Sequence, residues 1–270
     1  MQRFRNQLLI ENLIGARRRL FVLVIGVGRA TRLLTYVIGA DKGYTATIRL
    51  GESTVTDDAE GAVVSSAPAG HVDAAAIRAG LAALTGGISQ VPSAVSAIKV
   101  GGQRAYARVR AGEEVALAAR QVTVSRLDLG AVRHLGDMVD LDVAVECSSG
   151  TYVRALARDL GAGLGVGGHL TALRRTRVGG FTLDEAVTLD ELAAREDPVT
   201  LPLTEAAARF FPRRDATADE ARVLGHGGPL PPVGIAVPYA VFDPAGQLLA
   251  IVAERDGRAR AQVVLAPAGQ

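Results

Sequence analysis

Alternation of apolar and polar side chains sorts this chain into elements before any single residue is weighed. Tyr44, Ala46, Ile48 and Leu50 alternate with Thr45, Thr47 and Arg49, which is the period of a strand with one buried face. The same period runs through Met138–Cys147 at Val139, Leu141, Val143 and Val145, and a strand is predicted before it over 122–129. Val22-Leu23-Val24-Ile25-Gly26 is uniformly apolar and reads as a buried strand. A short helix over 30–38 follows, with Leu33, Leu34 and Val37 on one side. Helical spacing governs 73–84, where Asp73 caps and Ala76, Ile77, Leu81 and Leu84 face inward. It also governs 151–164: Leu156, Leu160 and Leu164 form a stripe, Arg154 and Arg158 lie one turn apart beside it, and Gly161, Gly163 and Gly165 end the helix. Further helical stretches fall at 188–195 and 203–210. Beyond Pro212-Arg213-Arg214, one short helix and strands near 238–243, 248–253 and 260–266 make a small β unit.

With 270 residues, 49% of them hydrophobic and 21% charged, the chain has material for a folded core, and at about 150 residues per domain it suggests two domains. The longest apolar run, 20–27, is far short of the roughly 20 residues that cross a bilayer. Cys147 is the single cysteine, so an intramolecular disulfide and a zinc ribbon are both excluded and a reducing, cytoplasmic setting fits. The formal charge of +2 selects no partner, although residues 1–21 carry five arginines against the single acid Glu11. Only Lys42 and Lys99 of the 30 basic residues are lysines, and arginine forks suit phosphates.

Chemistry has few anchors. Gly26-Val27-Gly28-Arg29-Ala30-Thr31 opens a helix after a strand, as a dinucleotide fingerprint would, but no acid stands about 20 residues on, so a glycine-rich turn is the simpler reading. His71, His134, His169 and His226 are scattered without ligand spacing, which predicts no metal site. Asp57-Asp58 reads as a solvated acidic loop. The densest constellation is Ser148-Ser149-Gly150-Thr151-Tyr152-Val153-Arg154 at a strand-to-helix junction, followed by His169-Leu170-Thr171-Ala172-Leu173-Arg174-Arg175-Thr176-Arg177. Arginines interleaved with sparingly used tyrosines suit nucleic acid, where a ring stacks a base. A core tyrosine with a solvated arginine face fits the same residues.

At these residues the chain resembles the bacterial tRNA pseudouridine-55 synthases of the TruB type, in their actinobacterial branch. The resemblance runs from Val22 to Gln270. It rests on Gly28-Arg29-Ala30-Thr31-Arg32, Lys42-Gly43-Tyr44, Leu50-Gly51 with Thr54 to Gly61, Gln90-Val91-Pro92-Ser93, Ser96-Ala97-Ile98-Lys99, and the two constellations above. It implies a mixed α/β (α+β, mixed-sheet) catalytic domain over 22–212 that lacks its N-terminal part, and a β-rich, PUA-like RNA-binding domain over 213–270. The implied reaction flips uridine 55 out of the T loop and isomerises it to pseudouridine, with tRNA as partner, no cofactor, no metal and no membrane, in a cytoplasmic monomer. Carried over by position, Tyr44 packs on the flipped base, Tyr152 and Leu173 line its pocket, and Arg154 pairs with the catalytic carboxylate. Lys99, Arg174, Arg175 and Arg177 become phosphate contacts. The family's nucleophilic aspartate falls on Ala16, within Gly15-Ala16-Arg17-Arg18-Arg19. Residues 1–21 therefore match nothing in the family and read as a frame or start error. Two other readings stand beside this one: a catalytically dead tRNA-binding paralogue, and an NAD-dependent oxidoreductase resting on the Gly26-Val27-Gly28 turn.

Overall fold

The structure is a computed structural model that describes residues 7–14, 20–93, 99–100, 102–104 and 117–266. The chain divides into two compact units. One comprises 14–21 and 39–178, the other 1–13, 22–38 and 179–270.

In the first unit, the strands Gly168–Val178, Lys42–Leu50, Met138–Cys147, Arg120–Leu135 and Gly86–Gln90 lie side by side in that order, each antiparallel to the next. Phe21 extends this sheet by pairing in parallel with Arg175. The alternation seen in the sequence has the expected cause. Ala46, Ile48 and Leu50 from one strand and Val139, Leu141, Val143 and Val145 from its neighbour are buried in one core, with the helices Ala74–Ala83 and Val153–Gly163 supplying Ile77, Leu81, Leu156 and Leu160. The side chain of Asp73 caps the first helix by accepting from the Ala76 N–H at 2.7 Å. The strand predicted over 122–129 runs on to Leu135, because its exposed second half pairs with Met138–Cys147 across a turn at Gly136, where φ is +63°.

The helix 153–163 passes through Gly161 instead of ending there. A Cβ on Gly161 would lie 2.1 Å from the carbonyl carbon of Gly167, so this glycine permits helix and following strand to touch backbone to backbone. Termination belongs to Leu164 and to Gly165, whose φ is +73°.

In the second unit, the Gln7–Ile14 backbone pairs in parallel with Val187–Thr188 and antiparallel with Leu201–Pro202. From Val22 onward the strand Leu20–Val27 belongs to this unit, and it leads into a 3-10 helix Gly28–Leu33 and the α-helix Leu34–Gly39, where the sequence predicted a single helix. Gly26 is required by this turn, since a Cβ there would sit 2.9 Å from the backbone of Thr31. Arg29 and Arg32 donate to the carbonyls of Leu265 and Val264 at 3.0 and 2.8 Å. A four-stranded sheet of Arg213–Asp215, Tyr239–Phe242, Leu248–Arg255 and Arg258–Val264 closes this unit around Leu224, Leu230, Tyr239 and Val252.

Candidate functional site

Asp57 and Asp58, which the sequence predicts in a solvated acidic loop, are instead only 8% and 7% exposed. Burial is tolerated because each carboxylate meets one of the two arginines spaced a turn apart on the Val153–Gly163 helix. Arg154 Nη1 donates to Asp58 Oδ2 at 3.0 Å and to the Thr56 carbonyl at 3.2 Å. Arg158 Nη1 donates to Asp57 Oδ2 at 3.3 Å and its Nη2 to the Val91 carbonyl at 2.8 Å.

The two neighbouring acids are pushed in opposite directions. Burial alone would raise the Asp58 carboxyl, but the Thr56 hydroxyl at 2.7 Å, the Glu60 N–H at 3.0 Å and the Arg154 charge outweigh it and hold the group below its ordinary range. For Asp57 burial wins over the Ser93 hydroxyl and Arg158, and the carboxyl is raised. Asp58 is thus a fixed anion beside a fixed cation. Asp57 also has φ of +58°, in the left-handed region where Asp and Asn are the tolerated side chains.

A raised carboxyl contributes stability that is complete below its unfolded range and lost as pH rises through its folded value. Asp57→Asn, which keeps the shape and the backbone tolerance, is therefore expected to change stability at neutral pH by less than about 1 kcal/mol and to flatten that loss. Urea denaturation across acid to neutral pH measures it; a loss near that of a broken buried ion pair would contradict the assignment.

Arg154, Asp58 and Leu173 line one cavity of about 520 Å³, together with Thr47, Thr171 and Glu60. Tyr44 and Tyr152 are not among its lining residues. Tyr44 stands opposite Arg175 in the ladder while Leu173 stands opposite Ala46, so Tyr44 and Leu173 are diagonal neighbours on the core face. Burial raises the Tyr44 phenol, although a side-chain hydrogen bond from Arg175 acts against it. The Arg175 guanidinium also lies 5.8 Å from the centre of the Phe21 ring. Tyr152 is half-buried at the N-cap position of the helix.

Of the remaining candidates, Arg177 forms an ion pair with Glu146. Arg174 lines a second cavity of about 610 Å³ with Thr45, Asp128 and Asp142, and among the described residues its buried Nε has no hydrogen-bond partner. The Lys99 side chain and Ala16 lie outside the described residues. No group of three metal-ligating side chains occurs among the described residues. His169 is buried with Nδ1 3.1 Å from the Glu52 carbonyl. Sequence reasoning gave Asp58 no role; the pointer to it was the Arg154/Arg158 spacing, which asks for two anions at the same interval.

Three family models tile the chain. That of the TruB family pseudouridylate synthase N-terminal domain matches residues 22–153. The tRNA pseudouridylate synthase B C-terminal domain matches 154–202, and tRNA pseudouridine synthase II, C terminal, matches 211–266. Among curated relatives, the tRNA pseudouridine synthase B of Nocardia farcinica (strain IFM 10152) is 59% identical over 248 residues, covering 92% of this chain and 81% of the relative. That of Arthrobacter sp. (strain FB24) is 56% identical over 260 residues, covering 92% and 84%. Among solved structures, the crystal structure of a Cbf5-Nop10-Gar1 complex superposes with a TM-score of 0.67 at 19% identity over 97% of this chain and 78% of that chain, a likeness of fold.

Proposed function

This chain belongs to the TruB family of pseudouridine synthases, the tRNA-modifying isomerases, and on that premise we propose that the Asp58–Arg154 cavity receives uridine 55 of the tRNA T loop after it leaves its stack. The observation that carries this reading is the pairing of Arg154 with a buried, ionised carboxylate in a cavity shared with Leu173. Unstacking costs a few kcal/mol, which contacts inside the pocket must offset. Tyr44 supplies an aromatic face beside Leu173, and the raised phenol keeps it neutral. Arg174, with its unmatched donor, and Arg175 are the residues we assign to phosphates.

In the family reaction the C1′–N1 bond breaks, C1′ bonds to C5, and the proton lost from C5 is balanced by one gained at N1. Starting that exchange takes a nucleophile, and Arg154 serves it by keeping a nearby carboxylate ionised. The family's aspartate position falls on Ala16 here, and a methyl group cannot attack C1′ or C6. The chain therefore captures the T loop and leaves the glycosidic bond intact. We assign residues 22–212 to the synthase domain and 213–270 to a PUA-like RNA-binding domain, in a cytoplasmic monomer.

The test uses purified chain and a T-arm stem-loop. Expected are binding that falls steeply with salt, as phosphate contacts require, and no pseudouridine by chemical mapping. Pseudouridine formation would overturn the assignment of Ala16, and absence of binding would overturn the site. Tyr44→Ala is expected to weaken capture of a flipped-base analogue by about 1–3 kcal/mol, the value of one stacked base; unchanged affinity would remove Tyr44 from the pocket.

A further inference from the structure

The helix that presents Arg154 begins without a cap of its own. Tyr152 occupies the N-cap position and makes no side-chain hydrogen bond to the first turn, so the point at which the helix starts must be fixed from elsewhere. Gln90, the last residue of the strand Gly86–Gln90, lies against it with 1% of its surface exposed. Its Oε1 accepts from the Tyr152 N–H at 2.8 Å and its Nε2 donates to the Tyr152 carbonyl at 3.1 Å. One amide thus engages both backbone groups of one residue, as a neighbouring strand would, beside the Ala155 and Leu156 N–H groups that donate to the same carbonyl at 3.0 and 3.2 Å, and holds it extended at φ −103° and ψ 105°.

The same short segment grips the other half of the ion pair. Ser93, fully buried, donates to the Thr56 carbonyl at 3.3 Å, the same oxygen that receives Arg154, and its hydroxyl also bonds the Asp57 carboxylate. Between the two, the Val91 carbonyl receives Arg158. Residues 90–93 therefore touch the helix through Gln90 and the acidic loop through Ser93, 62 and 37 positions away in the chain.

We propose that Gln90 is a positioning residue for the pocket: its amide fixes the backbone of Tyr152, which sets where the helix begins and how Arg154 meets Asp58. The geometry stands without any substrate; its consequence for RNA rests on the function proposed above. The chemistry is selective, because only a group with one donor and one acceptor at this spacing serves both atoms of Tyr152. Methionine fills the volume and offers neither. Glutamic acid offers both while protonated, and once ionised it is an acceptor only, set against the Tyr152 carbonyl oxygen. Among the described residues, the charged groups around this point are Asp57 and Asp58 from the loop, Arg154, Arg158 and Asp159 from the helix, and Arg120 opposite Gln90 on the next strand.

The experiment reads T-arm stem-loop binding with 2-aminopurine beside the target uridine, whose fluorescence reports unstacking. Relative to the unsubstituted chain at the same pH, Gln90→Met is expected to weaken capture about tenfold, the scale of one or two lost buried hydrogen bonds. Gln90→Glu is expected to be as weak at about pH 8 and to recover towards the unsubstituted affinity at about pH 5.5, since burial raises a glutamate's protonation range into this window. Capture by Gln90→Met at full strength, or a Gln90→Glu defect equal at both pH values, overturns the proposal. Amide hydrogen exchange on the unsubstituted protein tests it with neither RNA nor a substitution: the Tyr152 amide is expected to exchange slowly, and rapid exchange there overturns it. If the unsubstituted chain captures no RNA, the proposed function falls and the exchange rate still decides for or against Gln90.

Discussion

Arg154→Ala is expected to lower the unfolding free energy by about 3 kcal/mol at neutral pH, the scale seen when one partner of a buried ion pair is removed. The loss comes less from the missing attraction than from what is left behind. Asp58 is buried, and without the guanidinium the hydrogen bonds left to its charge among the described residues are those from the Thr56 hydroxyl and the Glu60 N–H. The Thr56 carbonyl loses a donor in the same step. pH provides the signature. A carboxyl held below its ordinary range contributes stability that is present above the unfolded value and disappears as pH falls through the folded one. The difference between the unsubstituted chain and the variant should therefore be full at neutral pH and should close in acid. Urea denaturation at about pH 7 and about pH 3 measures both ends; a difference that persists in acid would assign the loss to packing of the arginine stem. T-arm RNA affinity should fall only in part, since the residues proposed to contact phosphates lie elsewhere.

The second large effect is expected at a residue with no side chain. Gly161→Ala would place a methyl carbon 2.1 Å from the Gly167 carbonyl carbon and 2.2 Å from the Gly168 nitrogen, and both are backbone atoms with nowhere to rotate. Helix and strand must separate, at a cost of about 3 kcal/mol, the upper part of the usual range for overpacking. Separation also moves Arg154, on the helix, relative to Leu173, on the strand. Gly163→Ala provides the opposite sign. Nothing lies within 4 Å of the added carbon, so the variant is expected to gain about 0.5–1 kcal/mol through reduced freedom of the unfolded chain. Thermal denaturation of the two variants side by side checks both; a shared sign would show that helix propensity alone sets the outcome.

Those two glycines also mark how far the sequence could be read. Strict alternation made Lys42–Leu50 and Met138–Cys147 legible, and a leucine stripe made the Arg154 helix legible, because in each the burial period survives undisturbed. Three glycines in a row of alternate positions, however, look alike as letters, and only the strand lying over the helix distinguishes Gly161 from its neighbours. Asp57 and Asp58 were misread for a related reason. Adjacent acids in a turn-rich segment signal solvent, and their cations sit 101 and 96 residues later. Gln90 was visible as part of a stretch that carries the family resemblance but was given no role, since an amide clamped on distant backbone leaves no local pattern. The strand Gly168–Val178 has no clean period at all. Its core-facing residues, judged by pairing with Leu50, Ile48, Ala46, Tyr44 and Lys42, are Gly168, Leu170, Leu173, Arg175 and Val178, so the intervals alternate between two and three.

Those uneven intervals arise from register shifts between Leu170 and Ala172 and between Arg175 and Arg177, which leave Thr171 and Thr176 without a rung in the ladder with Lys42–Leu50. Eleven residues on one strand are thereby matched to nine on its neighbour. The excess amounts to roughly 7 Å of contour at about 3.3 Å per residue, and paired strands of unequal length cannot lie flat. Curvature at the mouth of the cavity is thus stored as chain length. Deleting Thr176, which does not line the cavity, would leave every other rung in place and straighten the strand there, so the shape of the pocket can drift by single-codon insertions and deletions while all the side chains that line it stay the same.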